Sequence, residues 1–250
     1  MRLTLLGTGA AGGVPLYGCQ CSACQRARDY PRYQRRPCSA LLEVGNKHYL
    51  LDAGLMDLDQ RFPVQTLDGI FLTHFHPDHV QGLFHLRWGT GDHIPVYCPP
   101  DQDGCADLYK NPGILAFRAM QPFVKEDMGN FCVTPLPLIH SKLTFGYLFE
   151  SVHKRIAYLT DTKSLSQEVL NILHTGSLDL VVLDACTPPS VEHANHNSID
   201  EAIALVEKIS PRKAFLTHIS HDLDRWLLEK KPALPQNALI AEDDMLGVVR

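Results

Sequence analysis

Residues 73–79 read Thr-His-Phe-His-Pro-Asp-His and follow directly on the apolar run Gly-Ile-Phe-Leu at 69–72. Four potential metal ligands, His74, His76, Asp78 and His79, crowd into six residues. Imidazole and carboxylate together suit borderline divalent ions such as zinc, manganese or iron. On an extended segment His74 and His76 share a face, which suits one ion. Pro77 promotes a turn, after which Asp78 and His79 can point to a neighbouring ion. A chain carrying this run has to hold a strand end rigidly beside further ligands, because one motif cannot fill two coordination spheres.

Candidates for those ligands stand where other strand-like runs end. His140 follows 133–139, Asp161 follows 156–160, and His218 follows 214–217. A ligand at a strand end sits on a rigid scaffold and still projects into a rim. Apolar, β-branched or aromatic runs predict strands at 3–6, 40–44, 48–51, 69–73, 95–98, 131–138, 144–149, 155–160, 178–184 and 213–217. Helical patterns fall at 81–88, 101–109, 165–174 and 198–209. The last opens on a capping-box pair, Ser198 and Glu201, with Ile199, Ile203, Val206 and Ile209 as its apolar stripe. Hairpin-like pairs mix with strand–helix crossovers, so the expected class is α/β with helices covering sheets.

Composition narrows the partners. The 250 residues carry a net charge of −5 and 45% hydrophobic residues, enough for a sizeable core and a poor match to a surface that coats nucleic acid. The opening Met-Arg-Leu-Thr-Leu-Leu-Gly is too short an apolar run for a secretion signal, and no run reaches the ~18 apolar residues of a membrane helix. A cytoplasmic protein without membrane partners is expected. Of the eight cysteines, Cys19, Cys21 and Cys24 cluster. Three soft ligands on a short loop can wrap one zinc, and His221 in Thr-His-Ile-Ser-His at 217–221 is the best fourth. Such a closed site would be structural, and it would tie the N-terminal loop to the segment that supplies His218. Gly7, Gly9, Gly12 and Gly13 match no phosphate-loop pattern and are read as a tight strand-to-loop turn.

Taken in order, the 73–79 run, His140, Asp161 and His218 resemble the ligand set of the metallo-β-lactamase superfamily. Asp52, in Leu-Leu-Asp-Ala-Gly, stands where that family keeps a carboxylate behind its ligands. The resemblance runs over essentially the whole chain and implies one domain, 1–250, built as a four-layer αββα sandwich. It also implies that His74, His76 and His140 hold one ion, that Asp78, His79 and His218 hold the other, and that Asp161 bridges them. Asp78 could orient the attacking water. Asn195-His196-Asn197-Ser198 resembles the catalytic-histidine loop of the superfamily's phosphodiesterases, which makes His196 the candidate general acid. The bridging aspartate sets the chain apart from zinc β-lactamases, which generally lack it.

Within the superfamily, Cys-x-Cys-x-x-Cys, the 73–79 run, His-Ile-Ser-His, and the stretches at 80–89, 135–148 and 158–162 resemble the phosphoribosyl cyclic phosphate phosphodiesterases of the carbon–phosphorus lyase pathway. That likeness implies hydrolysis of 5-phosphoribosyl 1,2-cyclic phosphate to ribose 1,5-bisphosphate, two active-site ions with manganese favoured over zinc or iron, one structural zinc, a small phosphorylated sugar as partner, and a homodimer. Lys142 and Arg87 are candidates for the substrate's second phosphate. Alternatives are a transfer-RNA 3′ endonuclease, a glyoxalase-II-like thioesterase, a protein like pyrroloquinoline quinone biosynthesis protein B, and a zinc-organised binding protein without catalysis. No glycine-rich basic arm for gripping RNA is present, and all seven active-site ligand candidates are. His48, His85, His93, His153, His174 and His193 are read as structural or surface residues.

Overall fold

A computed structural model describes residues 1–248. The first sheet takes β1 (Arg2–Gly7), β2 (Ser39–Val44), β3 (Lys47–Leu51), β4 (Gly69–Phe71), β5 (Ile94–Cys98) and β6 (Leu115–Ala119) in sequence order. The second takes β7 (Glu126–Asp127), β8 (Cys132–Leu138), β9 (Thr144–Glu150), β10 (Arg155–Leu159), β11 (Leu180–Asp184), β12 (Ala214–Thr217) and β13 (Ala238–Ile240). The chain then returns to the first sheet as β14 (Leu246–Val248), beside β1. Each sheet begins with antiparallel hairpins and continues as parallel crossovers, β3 to β6 in one and β10 to β13 in the other.

Among the described residues, eight α-helices lie between these strands: α1 (Ser22–Asp29), α2 (Leu58–Arg61), α3 (Pro77–Val80), α4 (Leu83–Leu86), α5 (Ala106–Lys110), α6 (Gln167–Leu173), α7 (Ile199–Ile209) and α8 (His221–Lys230). Alternation along the strands sorts side chains into three apolar layers. Leu180 and Val182 of β11 face the other sheet, where Leu3, Leu42, Leu51, Phe71, Tyr147, Phe149 and Tyr158 meet. Val181 and Leu183 face outward onto α6 and α7, through Val169, Leu173, Ala202 and Val206. On the first sheet, Leu50, Ile70 and Val96 pack outward against Leu58, Val80, Leu83 and Leu108 of the short helices. The order helix, sheet, sheet, helix is the expected αββα sandwich. Covering both faces is why β11 reads as an unbroken apolar run.

The strands lie within a residue or two of the expected positions, and three expectations need correcting. The 81–88 pattern contracts to α4, and a separate short helix, α3, precedes it and begins on the histidine motif itself at Pro77, a residue suited to the first helical turn. The 101–109 pattern contracts to α5. The cysteine cluster is not only a loop: Cys21 caps α1, its sulfur accepting from the Cys24 amide at 3.5 Å, and Cys24 lies inside the helix. The helix α1 and the short strands β6, β7, β13 and β14 carry too weak a periodic signal for the sequence to reveal; α8 was also not expected, although Leu223, Trp226 and Leu227 stand at helical spacing.

Candidate metal centre

The strands converge on one edge. The His74–His79 run leaves β4, while His140, Asp161, Asp184 and His218 sit at or just beyond the ends of β8, β10, β11 and β12. Three of the residues that turn there, Asp52, Asp161 and His218, have φ of 57°, 61° and 62°. A left-handed backbone is costly for residues with a Cβ, of order 1–3 kcal/mol each, and such strain collects where side-chain aim matters. Gly54 explains how the turn fits so tightly: a Cβ there would lie 1.8 Å from the Asp78 carbonyl oxygen.

Two groups of donors face each other across Asp161. In the first, His76 Nδ1 is 2.8 Å from His74 Nε2 and 3.1 Å from His140 Nε2. In the second, His79 Nε2 lies 3.3 Å from Asp78 Oδ2, and His218 Nε2 lies 3.9 Å from it. The Asp161 carboxylate reaches both. Its Oδ1 is 4.0 Å from His74 Nε2, 3.9 Å from His140 Nε2 and 3.2 Å from His218 Nε2, while Oδ2 is 3.3 Å from His79 Nε2. Ligands of one tetrahedral ion with bonds of about 2.1 Å stand roughly 3.4 Å apart. Each set therefore has the spacing of a metal site.

The hydrogen bonds behind the ligands free the facing nitrogens. His74 Nδ1 donates to Thr73 Oγ1 at 3.0 Å, and Thr73 donates on to Asp52 at 2.9 Å. His79 Nδ1 donates to Asp52 Oδ2 at 2.9 Å, and His140 Nδ1 to the Asn195 carbonyl at 3.2 Å. Fixing one ring nitrogen as donor leaves the other as a lone pair for a cation. His79 Nε2 and both nitrogens of His218 are buried with no hydrogen-bond partner, an expensive condition that a bound cation removes. Donor chemistry, spacing and these orphaned nitrogens all fit divalent metal.

Charge follows the same division. Burial lowers His74, His76 and His140, so that group is neutral. Burial would also lower His79 and His218, but the carboxylates of Asp161 and Asp52 on His79, and of Asp161 and Asp78 on His218, outweigh it and hold both well above the usual value. The same contacts overcome burial at Asp78 and Asp161 and keep both far below the ordinary carboxylate range. Asp52 is raised, because burial exceeds the help of His79.

His196 stands at the rim. Its Nδ1 donates to Asp184 Oδ2 at 2.7 Å, and its ring stacks on His218 with centroids 4.5 Å apart. Asp184 also accepts from the amides of Asn197 at 2.9 Å and Asp161 at 3.1 Å. Sequence reasoning saw Asp184 only as the end of a strand and missed this partner. It also missed Cys186, whose sulfur falls within 4.8 Å of nitrogens of both His196 and His218. His193, read as a structural or surface residue, is exposed, with its ring centroid 4.8 Å from that of His196. Both sit in the irregular segment after β11, which periodicity does not reach.

The phosphate candidates separate. The structure corrects the expectation for Arg87: it pairs with Asp107 at 2.7 Å, donates to the Asp107 and Asn111 carbonyls, and so ties α4 to α5. Lys142 stays beside the His140 loop, its ammonium 3.8 Å from Asp101. The cysteine cluster closes as anticipated in composition: ligand atoms of Cys19, Cys21, Cys24 and His221 lie within 4.8 Å of one another and could hold a zinc.

A family model described as a beta-lactamase superfamily domain matches residues 48–219. A protein of Porphyromonas gingivalis called octanoyltransferase is 30% identical over 239 residues, covering 88% of this chain but 46% of its own length. The chain thus spans about half the length of that relative. A crystal structure of a diphosphatase from the PhnP family superposes with a TM-score of 0.85 at 26% identity, covering 100% of this chain and 98% of that one. Zinc-bound PqqB from Methylobacterium extorquens shares the fold, with a TM-score of 0.77 at 19% identity, 99% of this chain and 100% of that one. Among the described residues no helix is long and apolar enough to cross a membrane.

Proposed function

Because the chain belongs to the beta-lactamase superfamily domain family, we propose that it is a dinuclear metal-dependent hydrolase of phosphoric diesters, with a small cyclic sugar phosphodiester as substrate. In its most specific form the reaction is opening of 5-phosphoribosyl 1,2-cyclic phosphate to ribose 1,5-bisphosphate. The observation that carries this reading is the pair of donor sets joined by Asp161. The near-complete superposition on a PhnP-family diphosphatase adds a phosphoryl-transfer precedent.

His74, His76 and His140 would hold one ion, and Asp78, His79 and His218 the second, with Asp161 shared. Manganese is the first choice, ahead of zinc or iron. Two divalent cations so held supply Lewis acidity against the charge on phosphoryl oxygens and bring the pKa of water toward about 7. The chain's own residues do the rest. Asp78 orients the water. As the water's oxygen bonds to phosphorus it gives up a proton to solvent, the bond from phosphorus to the sugar oxygen breaks, and that oxygen needs a proton. His196 gives it from Nε2, because Asp184 fixes Nδ1. Lys142 binds the substrate's remote phosphate. Cys19, Cys21, Cys24 and His221 hold a structural zinc.

The assay that tests the proposal sets manganese- or zinc-loaded protein against the ribosyl cyclic phosphate, bis-p-nitrophenyl phosphate and an acyl-glutathione. Preference for the cyclic phosphate, abolished by Asp161→Ala, is the expected result. Thioester turnover without diester cleavage overturns it.

A further inference from the structure

Away from the metal centre, α1 packs along α8, and a cavity of 270 Å³ opens between them near the far end of α8. Its lining contains four cations, Arg26, Arg32, Arg35 and Lys231, against two carboxylates, Asp224 and Glu242. The excess is positive in a chain whose net charge is −5. Leu227, Leu228 and Ile240 give the same cavity an apolar wall. Lys231 closes α8, ten residues beyond His221, so about 15 Å of helix separates it from the cysteine cluster.

The inner charges are already spent. Arg35 donates to Asp224 at 3.0 Å, and Asp224 is also held by Arg26 at 3.1 Å. The outer ones are not. Arg26 and Arg32 both place their guanidinium groups over the Tyr33 ring, 4.2 and 4.6 Å from its centroid, and Arg32 donates only to the Tyr33 hydroxyl. Among the described residues neither Arg32 nor Lys231 has a carboxylate partner. Stacking on the ring restricts the two guanidinium groups in advance, so an anion that meets them forfeits less side-chain freedom.

We infer that this cavity is a binding site, separate from the metal centre, for a compact organic anion of the phosphate-monoester or phosphonate type. The dianion would sit at Arg32 and Lys231, with its organic body on Leu227, Leu228 and Ile240. A 270 Å³ volume lies just below the usual range of ligand pockets, which run from roughly 300 Å³ upward. That size excludes extended nucleic acid from the interior and favours a ligand of one ring.

The test uses metal-loaded full-length protein and phenylphosphonate, which cannot be hydrolysed at an ester. Calorimetric titration should show two classes of site, one of which disappears in Asp161→Ala while the other persists. Arg32→Glu combined with Lys231→Glu should weaken that persisting class tenfold or more, the order expected for losing hydrogen bonds to a charged group. Because both residues are exposed, turnover of bis-p-nitrophenyl phosphate should remain at the wild-type rate and report an intact fold. Unchanged phenylphosphonate binding in the double variant overturns the inference, as does complete loss of binding in Asp161→Ala.

Discussion

At the scale of single residues, the centre divides into ligands that are neutral and ligands that hold protons. His79 and His218, raised by their carboxylate neighbours, carry protons in the metal-free protein that an incoming ion displaces. Metal uptake at neutral pH should therefore release protons, and apparent affinity should rise with pH. Calorimetry in buffers of different ionisation enthalpy reads this directly, and uptake without proton release would contradict it. His196 is argued to act on the leaving group and to ligate nothing. His196→Ala should cut kcat by about 10²- to 10⁴-fold with metal content unchanged. Asp184→Asn should reproduce part of that loss, since it removes the acceptor that selects the His196 tautomer. The ligands were legible in the sequence because the 73–79 run crowds four of them into six residues, and only beside that run do His140, Asp161 and His218 at strand ends stand out. Asp184 was not, because an aspartate closing an apolar strand looks the same whether it faces solvent or holds a histidine.

At the scale of elements, the helices are specified by their first turns. Ser198 and Glu201 form the capping box read from sequence, with Glu201 accepting from the Ser198 amide at 2.9 Å and its hydroxyl at 3.0 Å. Ser198→Ala should lower unfolding free energy by about 1 kcal/mol, measured by urea denaturation. The helices α1 and α8 escaped for different reasons: α1 buries only the small side chains of Ala23, Cys24 and Ala27, whereas on α8 Leu223, Trp226 and Leu227 do stand at helical spacing and pack on the core but span a single turn. The cysteine cluster and the Arg26–Asp224 ion pair join them. Burial pushes the Cys24 thiol up to about 12, so zinc has to displace a firmly held proton, and its binding should strengthen as pH rises. Cys24→Ser should lower Tm, whereas a zinc-free wild type that melts with the loaded one would remove the structural role.

Across the whole molecule, two sheets share one interior, and Phe71 lies at its middle. Its ring is 4.8 Å from Tyr97, 5.3 Å from Tyr147 and 5.4 Å from Phe149, the last two across the sheet interface. Phe71→Ala should cost about 3–5 kcal/mol, read from the denaturation midpoint. Because Phe71 stands three residues before His74, the same variant should also loosen metal binding. The sandwich was legible only through resemblance. Strand content and crossovers point to mixed α/β, but which strands share a sheet is decided by pairings such as β14 with β1, between segments more than 240 residues apart.

The link from His218 to His221 has a consequence for how such a chain can change over generations. Ile219 between them is fixed on both sides, its amide on the Thr8 carbonyl at 2.9 Å and its own carbonyl taking the Ala10 amide at 3.1 Å, while Ser220 is tied to Cys186. That stretch works as a ruler of fixed length between two sets of ligands. Descendants can exchange residues along it, yet a single codon gained or lost would misplace one set or the other. The segment at 188–194, exposed and held by few backbone bonds, carries no such restriction. Insertions that remodel the rim, and with it the choice of substrate, have room to accumulate there.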